Sequence, residues 1–185
     1  MTAAPLAIAG ALDGPMLARI RAEMRAAPGA DAGVLGVEPG RRVASVARRT
    51  TRVAVPDATR AAVEELLERH RPRIAAHFGR ALAGCEEPQF LRYGPGDYFV
   101  AHQDGNTPLI HDETRFRKVS VVIALSKRAE EPQPGDYGGG ALVIDGEPLA
   151  PAPGTLLAFP SETTHEVTPV THGERLTIAS WYRGG

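Results

Sequence analysis

Cysteine is almost missing from this 185-residue chain: Cys85 stands alone, which excludes an internal disulfide and fits a reducing compartment. Excess charge is missing too. Twenty-one Lys and Arg against 22 Asp and Glu leave a formal charge of −1, so the molecule offers no overall polycationic surface to nucleic acid or anionic lipid. No run of eighteen apolar residues occurs, and nothing is expected to span a membrane. The opening MTAAPLAIAGALDGPM is apolar, but it lacks a basic leading region and is interrupted by Pro5, Gly10 and Pro15, so it does not read as a secretory signal. Neither an internal repeat nor a low-complexity tract is found. These absences lead to a cytoplasmic protein as the expectation.

What is present suits one domain over 1–185, with 43% apolar residues for a core and 23% charged residues to cover it. A helical and hairpin support is expected over 1–88 and a catalytic core over 89–183. Asp13 followed by Pro15 predicts a helix start, and Leu17, Ile20 and Met24 recur at helical spacing until Pro28-Gly29. A longer helix is predicted from an Asp57 cap, with the apolar stripe Val63, Leu66, Leu67, Ile74, Phe78 and Leu82 and a kink at Pro72. Between them, residues 33–55 predict a hairpin or two short strands around Glu38-Pro39-Gly40-Arg41. From Gln89 the pattern changes to short strands at 89–93, 97–103, 117–126, 140–145, 154–160, 164–170 and 174–183, punctuated by Gly/Pro turns. Strands of this length preceded by helices predict a mainly β fold with flanking helices, a double-sheet jelly roll carrying the helices on one face. In the last strand Arg175, Thr177, Ala179 and Trp181 share one face, with Leu176 and Ile178 on the other, so both faces are expected to be buried. Residues 127–139 read as a loop.

The chemistry begins with His102-Gln103-Asp104 and His165. Two imidazoles and one carboxylate are the donor set of the facial triad that holds non-haem Fe(II) and leaves coordination positions open. Alternation along an extended segment places His102 and Asp104 on one side. The tripeptide alone is a weak signal, and a lone histidine such as His165 is as readily a hydrogen-bonded structural residue. Order and context add weight, because Arg175 opens the strand after that of His165. An inward arginine is costly unless an anion meets it, either one of the chain's own carboxylates or a bound carboxylate gripped bidentately, to which Thr177 on the same face can add a hydroxyl.

The stretch from Phe90 to Tyr182 resembles the prolyl-hydroxylase-type branch of the Fe(II)/2-oxoglutarate-dependent dioxygenases. The resemblance rests on Arg92-Tyr93-Gly94-Pro95-Gly96, His102-Gln103-Asp104, Gly138-Gly139-Gly140-Ala141-Leu142, Pro153 through Pro160, His165 through Val170, and Arg175 through Tyr182. It implies a double-stranded β-helix (jelly roll, cupin-like) core. It also implies that His102, Asp104 and His165 are iron ligands, that Arg175 meets the distal carboxylate of 2-oxoglutarate, and that Tyr93 and Thr177 help hold it. O2 would be consumed, with succinate and CO2 as coproducts of hydroxylating an unactivated C–H. Asp104 favours hydroxylation over halogenation, since related halogenases lack that carboxylate, while desaturation or ring closure through the same oxidant stays open. One departure is Ala124, where some animal members bind the cosubstrate with tyrosine.

Loop 105–116 leaves the metal edge and is expected to form part of a substrate lid; its His111 and Asp112 read as a solvated pair, not as ligands. By resemblance Arg117 and Trp181 are candidates for the substrate rim, core packing being the rival reading for Trp181. Arg41, Arg42, Arg48, Arg49 and Arg52 form a basic cluster, read as a solvated strand face, with docking of an acidic peptide or a nucleic-acid backbone as the alternative. His70, His77 and His172 read as structural or surface residues, and Cys85 receives no role. The expected substrate is a prolyl or similar residue in a protein or peptide. A free amino acid or natural-product intermediate is the alternative, and a non-catalytic cupin-like binder the alternative of another class. Neither nucleic acid nor membrane is expected as a partner.

Overall fold

A computed structural model describes residues 3–31, 47–131 and 133–184 of the chain. In order these form β1 (Leu6–Ile8), α1 (Gly14–Ala26), β2 (Gly29–Asp31), β3 (Arg48–Arg49), β4 (Thr51–Val53), α2 (Asp57–Phe78), β5 (Leu82–Cys85), β6 (Gln89–Tyr93) and β7 (Tyr98–His102). A 3-10 turn at Glu113–Phe116 leads into β8 (Arg117–Ala124), then β9 (Tyr137–Gly139), β10 (Leu142–Ile144) and β11 (Glu147–Leu149). The chain closes with β12 (Leu156–Pro160), β13 (His165–Val167), β14 (Val170–Gly173) and β15 (Arg175–Gly184).

The strands make a large sheet ordered β1-β12-β8-β15-β6-β4-β2, with β5 also paired to β15. A smaller sheet runs β11-β10-β13-β7-β3, and β14 pairs with β9. This is the mainly β, helix-flanked architecture expected for the double-stranded β-helix. Its layers follow from the two-residue period of the strands. Leu156 and Ala158 of β12, Leu176 and Ile178 of β15 and Phe90 of β6 turn to one side, where they pack with Ile20 and Met24 of α1 and Val63, Leu67 and Ile74 of α2. Their alternates Leu157, Phe159, Leu91 and Tyr93 turn to the other side and pack with Leu142, Ile144, Val167 and Val170 of the remaining strands. So the long strand β15 is buried on both faces, as its composition predicts.

The first helix matches its prediction: Asp13 accepts a hydrogen bond from the Met16 N–H, and the helix ends at Ala26. The second contains Pro72 within its length and departs from its prediction in two respects. Asp57 is its first residue and pairs with Arg60, while Pro56 occupies the cap position; and it stops at Phe78, so that Leu82 belongs to β5. The strand wins there because α2 holds it: Arg71 donates to the Leu82 carbonyl and Glu68 accepts from the Cys85 N–H. Tyr182 donates its hydroxyl to the Leu67 carbonyl at 2.6 Å, locking α2 to β15. Of the segment 33–55, the turn 38–41 lies outside the described residues, and the described part holds two short strands in different sheets. The predicted strand 164–170 breaks at Thr168-Pro169 into β13 and β14, which pair with different neighbours.

Candidate active site

His102 ends β7 and His165 begins β13, and these antiparallel strands are in a register that sets the two residues directly opposite each other. Their ring centroids are 4.2 Å apart. Asp104 follows two residues later, held because the N–H groups of Asp104 and Gly105 both donate to the Ser161 carbonyl. The pairing thus closes a separation that is long in sequence. Each imidazole is oriented by the same device: His102 Nδ1 lies 2.8 Å from the Val100 carbonyl and His165 Nδ1 3.0 Å from the Thr163 carbonyl. A carbonyl only accepts, so Nδ1 carries the proton and Nε2 keeps its lone pair. Both Nε2 atoms face Asp104, at 3.4 Å for His102 and 3.3 Å for His165.

The donor atoms of His102, Asp104 and His165 all lie within 4.8 Å of one another. Burial works to raise the Asp104 carboxyl, but in the metal-free site, where a second proton on an imidazole at Nε2 can be donated to it, hydrogen bonds from His102 and His165 and their charge outweigh burial and hold Asp104 well below the usual carboxylate range. Burial likewise works to lower His165, and the Asp104 carboxylate with the Thr163 carbonyl reverses that and raises it. Three lone-pair donors aimed at one point call for a cation between them. Two neutral imidazoles and a carboxylate, fixed through their far nitrogens, suit Fe(II). Behind Asp104 the Ser120 hydroxyl donates to Oδ2 at 2.7 Å, and Ser120 Oγ lies 3.0 Å from Ser161 Oγ. Ser120 and Ser161 are buried, and sequence reasoning missed both. The available signal was a serine at position 120, on the inward face that Val122 also occupies.

Deeper in the same chamber stands Arg175, 4% exposed. It pairs across the ladder with Tyr93, and its guanidinium lies 5.0 Å from that ring's centroid. Nη1 reaches Thr177 Oγ1 at 3.4 Å, a long contact, while Nε is buried with no hydrogen-bond partner. No carboxylate among the described residues pairs with Arg175, so its sequence-level alternative, an internal salt bridge, is not realised there. Such an orphaned buried donor is costly unless an anion meets it. Room for the side chain comes from Gly140: a Cβ there would lie 3.2 Å from Arg175 Cδ and 2.9 Å from Val170 Cγ2, at a φ of +53°. Arg175, Thr177, Ala179 and Trp181, predicted to share a face, all line this chamber together with Tyr93 and the triad. Ala124 pairs with Thr177 in the ladder.

Over the triad a trough opens outward, lined by Phe99, Gln89, Arg48, Arg117, Trp181 and the loop residues Leu109 to Asp112. Loop 105–116 therefore walls the site. His111 and Asp112 are outside the metal-competent group, and Asp112 instead caps the 3-10 turn through the Thr114 N–H. Arg117 is held bidentately by Glu86, at 3.0 and 2.7 Å, and stacks 3.7 Å from the Trp181 ring centroid. Trp181 is buried and lines both chamber and trough, so it is a wall of the site and not part of either apolar cluster. His77 contacts the Ala4 carbonyl and His172 the Thr171 hydroxyl, both away from the site.

The sequence profile of the 2OG-Fe(II) oxygenase superfamily matches residues 88–183. A PKHD-type hydroxylase of Phenylobacterium zucineum is 32% identical over 176 residues, covering 89% of this chain and 71% of that protein. A PKHD-type hydroxylase of Thioalkalivibrio sulfidiphilus is 35% identical, covering 92% and 74%. Other curated relatives match over 51% of this chain and 41–42% of their own length. Among solved structures, a Pseudomonas putida prolyl-4-hydroxylase superposes with a TM-score of 0.64 at 26% identity, covering 100% of this chain and 94% of that one.

Proposed function

We propose, from a chain that belongs to the 2OG-Fe(II) oxygenase superfamily and its PKHD-type, prolyl 4-hydroxylase-like branch, that its substrate is a prolyl or similar residue in a protein or peptide, hydroxylated at an unactivated C–H. It is a 2OG-Fe(II)-dependent oxygenase. In this reading His102 Nε2, Asp104 and His165 Nε2 hold the iron. Arg175 takes the distal carboxylate of 2-oxoglutarate, with Thr177 and Tyr93 beside it, which satisfies the orphaned guanidinium. Bound there, Fe(II) and 2-oxoglutarate supply O2 activation, with succinate and CO2 as coproducts.

The chain's own groups position and shield. Ser120 keeps one Asp104 oxygen engaged so that the carboxylate cannot rotate, and the paired register of β7 and β13 fixes the two imidazoles. Phe99, stacked 3.6 Å from the His102 ring, and Trp181 keep water from the flanks of the triad.

The observation that carries the peptidyl reading is the trough: ring and aliphatic walls from Phe99, Trp181, Leu109 and Ile110 suit a pyrrolidine, and its outward opening suits a chain passing through. The prolyl-4-hydroxylase named for Pseudomonas putida supports the same residue class. Anaerobic loading with Fe(II) and 2-oxoglutarate, then addition of O2 with a panel of proline peptides and free amino acids, tests it. A proline peptide should raise succinate formation and gain one oxygen atom. Stimulation by a free amino acid alone would replace the peptidyl reading.

A further inference from the structure

The basic cluster noted in the sequence is divided by the fold. Arg49 pairs with Asp97 at 3.0 Å and Arg52 with Glu87 at 3.0 Å; both arginine side chains are exposed and each is answered by a carboxylate. Arg48 is different. It lies on β3, directly opposite Phe99 of β7, and its guanidinium sits 4.6 Å from the Phe99 ring centroid. Phe99 in turn stacks on His102, which puts Arg48 one aromatic ring from the triad. Its Nε is buried with no hydrogen-bond partner. Among the described residues no carboxylate forms an ion pair with it.

The surroundings sharpen the contrast. Arg48 lines both the deep chamber and the outer trough, at the place where the two join. The other trough arginine, Arg117, is neutralised by Glu86. Of the acidic groups on the trough, Asp104 faces the two histidines and Asp112 caps its own turn. The trough therefore presents one guanidinium whose charge nothing in the described protein answers. Stacking on Phe99 holds the fork while leaving its edge for a planar acceptor, the geometry in which arginine takes a carboxylate with two parallel N–H···O bonds.

We infer that Arg48 is a specificity-determining residue that binds a carboxylate of the peptide substrate close to the residue being oxidised. This rests on the peptidyl reading above and deepens it. The carboxylate comes either from an Asp or Glu side chain flanking the target or from the end of the peptide chain. Arg175 binds the cosubstrate deeper in the chamber, so the two guanidinium groups serve two different anions. A peptide carrying an acidic neighbour is selected over its amide counterpart, because leaving Arg48 unanswered next to a bound neutral peptide removes a charge-assisted bond without replacing it with water.

Trp181 is the only tryptophan of the chain and lines the trough, so its fluorescence reports binding without turnover. Protein loaded anaerobically with Fe(II) and 2-oxoglutarate is titrated with N-acetyl tripeptides, with or without a central proline, in three forms: flanking Glu with amidated end, flanking Gln with free end, and flanking Gln with amidated end. One of the two carboxylate forms should bind about tenfold tighter than the fully neutral form, and which one does identifies the source. Arg48→Gln should abolish that difference while binding the neutral form as the wild type does, and Arg48→Lys should restore part of it. Equal binding of all three forms, or no binding of any, overturns the inference. So does an equal loss of all forms in Arg48→Gln. A carboxylate preference that persists without proline, with no preference for proline itself, keeps Arg48 in this role and instead refutes the prolyl reading.

Discussion

The two sides of the triad are built on opposite principles. Behind it the polar groups are mostly answered, with the Thr163 hydroxyl the exception: Ser120 and Ser161 engage Asp104 and each other, Gln103 donates to the Glu162 carbonyl, and the Glu162 carboxylate is held by Arg80 and Asn106. In front of it the groups are left open: Arg175 and Arg48 carry buried nitrogens without partners, and Leu109 stands 82% exposed on the loop. The rear is backed by β8 and β12, whose far sides pack on the helices. In the function proposed above, the hydrogen-bonded rear fixes where the reaction happens, and the unsatisfied groups on rigid strands define what is admitted. The same strand can serve both ends, as β15 does with Leu176 and Ile178 in the core and Arg175 and Thr177 in the chamber.

The largest effect should come from the front. Arg175→Leu removes a buried guanidinium that, in the function proposed above, pairs bidentately with a carboxylate, and such truncations cost about 2–5 kcal/mol. Cosubstrate affinity should fall by roughly a hundredfold or more, measured by calorimetry with 2-oxoglutarate, while iron uptake stays intact because no triad contact involves Arg175. Concurrent loss of iron would show that front and rear are not separable. The rear should give the next effect. Ser120→Ala leaves Asp104 without its hydroxyl donor, and losses of this kind in the surroundings of a metal lower affinity or activity by about 10- to 100-fold. A titration of iron into Ser120→Ala showing wild-type affinity would mean that the paired strands alone orient the carboxylate.

The rear of the site was harder to read from the chain than the front. His102, Asp104, His165 and Arg175 are types that announce metal and anion chemistry, and the strands carrying them, near 98–102 and 175–184, alternate clearly enough to be recognised. Serine announces nothing. Ser120 matters through contact with Asp104 across sixteen positions and Ser161 across the β12 edge, and such contacts arise only from pairing. Leu82 was drawn into the helix because it continues the apolar stripe, whereas the hydrogen bond from Arg71 to its carbonyl ends the matter in favour of a strand. Three-residue strands such as Leu6–Ile8 and Glu147–Leu149 are too short for alternation to be visible. Arg48 and Arg49 look alike in sequence, and only the register of β3 against β7 separates a chamber residue from a surface one.

A smaller effect should separate the loop from the strands in front of the triad. Loop 105–116 is pinched at its neck, where a Cβ on Gly105 would come within 2.2 Å of the Thr114 carbonyl and Asn106 donates its N–H to the Arg115 carbonyl. Its tip carries Leu109 over the trough. Leu109→Ser should leave thermal stability within about 0.5 kcal/mol of wild type, as for exposed positions generally, and raise the peptide KM by about five- to tenfold through lost apolar contact. Wild-type KM would remove the loop from substrate binding and leave the strands to do it alone.

The subtlest difference lies in how each side responds to pH when no metal is bound. His165 is raised above its ordinary value of 6.5 by Asp104, and Asp104 is held well below its ordinary 3.8. The His165 contribution to stability is complete below about pH 6.5 and is lost as pH rises through its folded value; that of Asp104 is complete above about pH 3.8 and is lost as pH falls through its folded value. Between those limits one proton does the work of a cation at the centre of the triad. The metal-free protein should therefore melt lower at about pH 8 than at about pH 6, seen as a fall in Tm across that interval. With Fe(II) bound under anaerobic conditions that slope should vanish, and loading at about pH 6 should release a proton to the buffer. A metal-free Tm that rises with pH over the same interval would place the titrating group elsewhere and break the argument that the rear of the triad is organised around a cation.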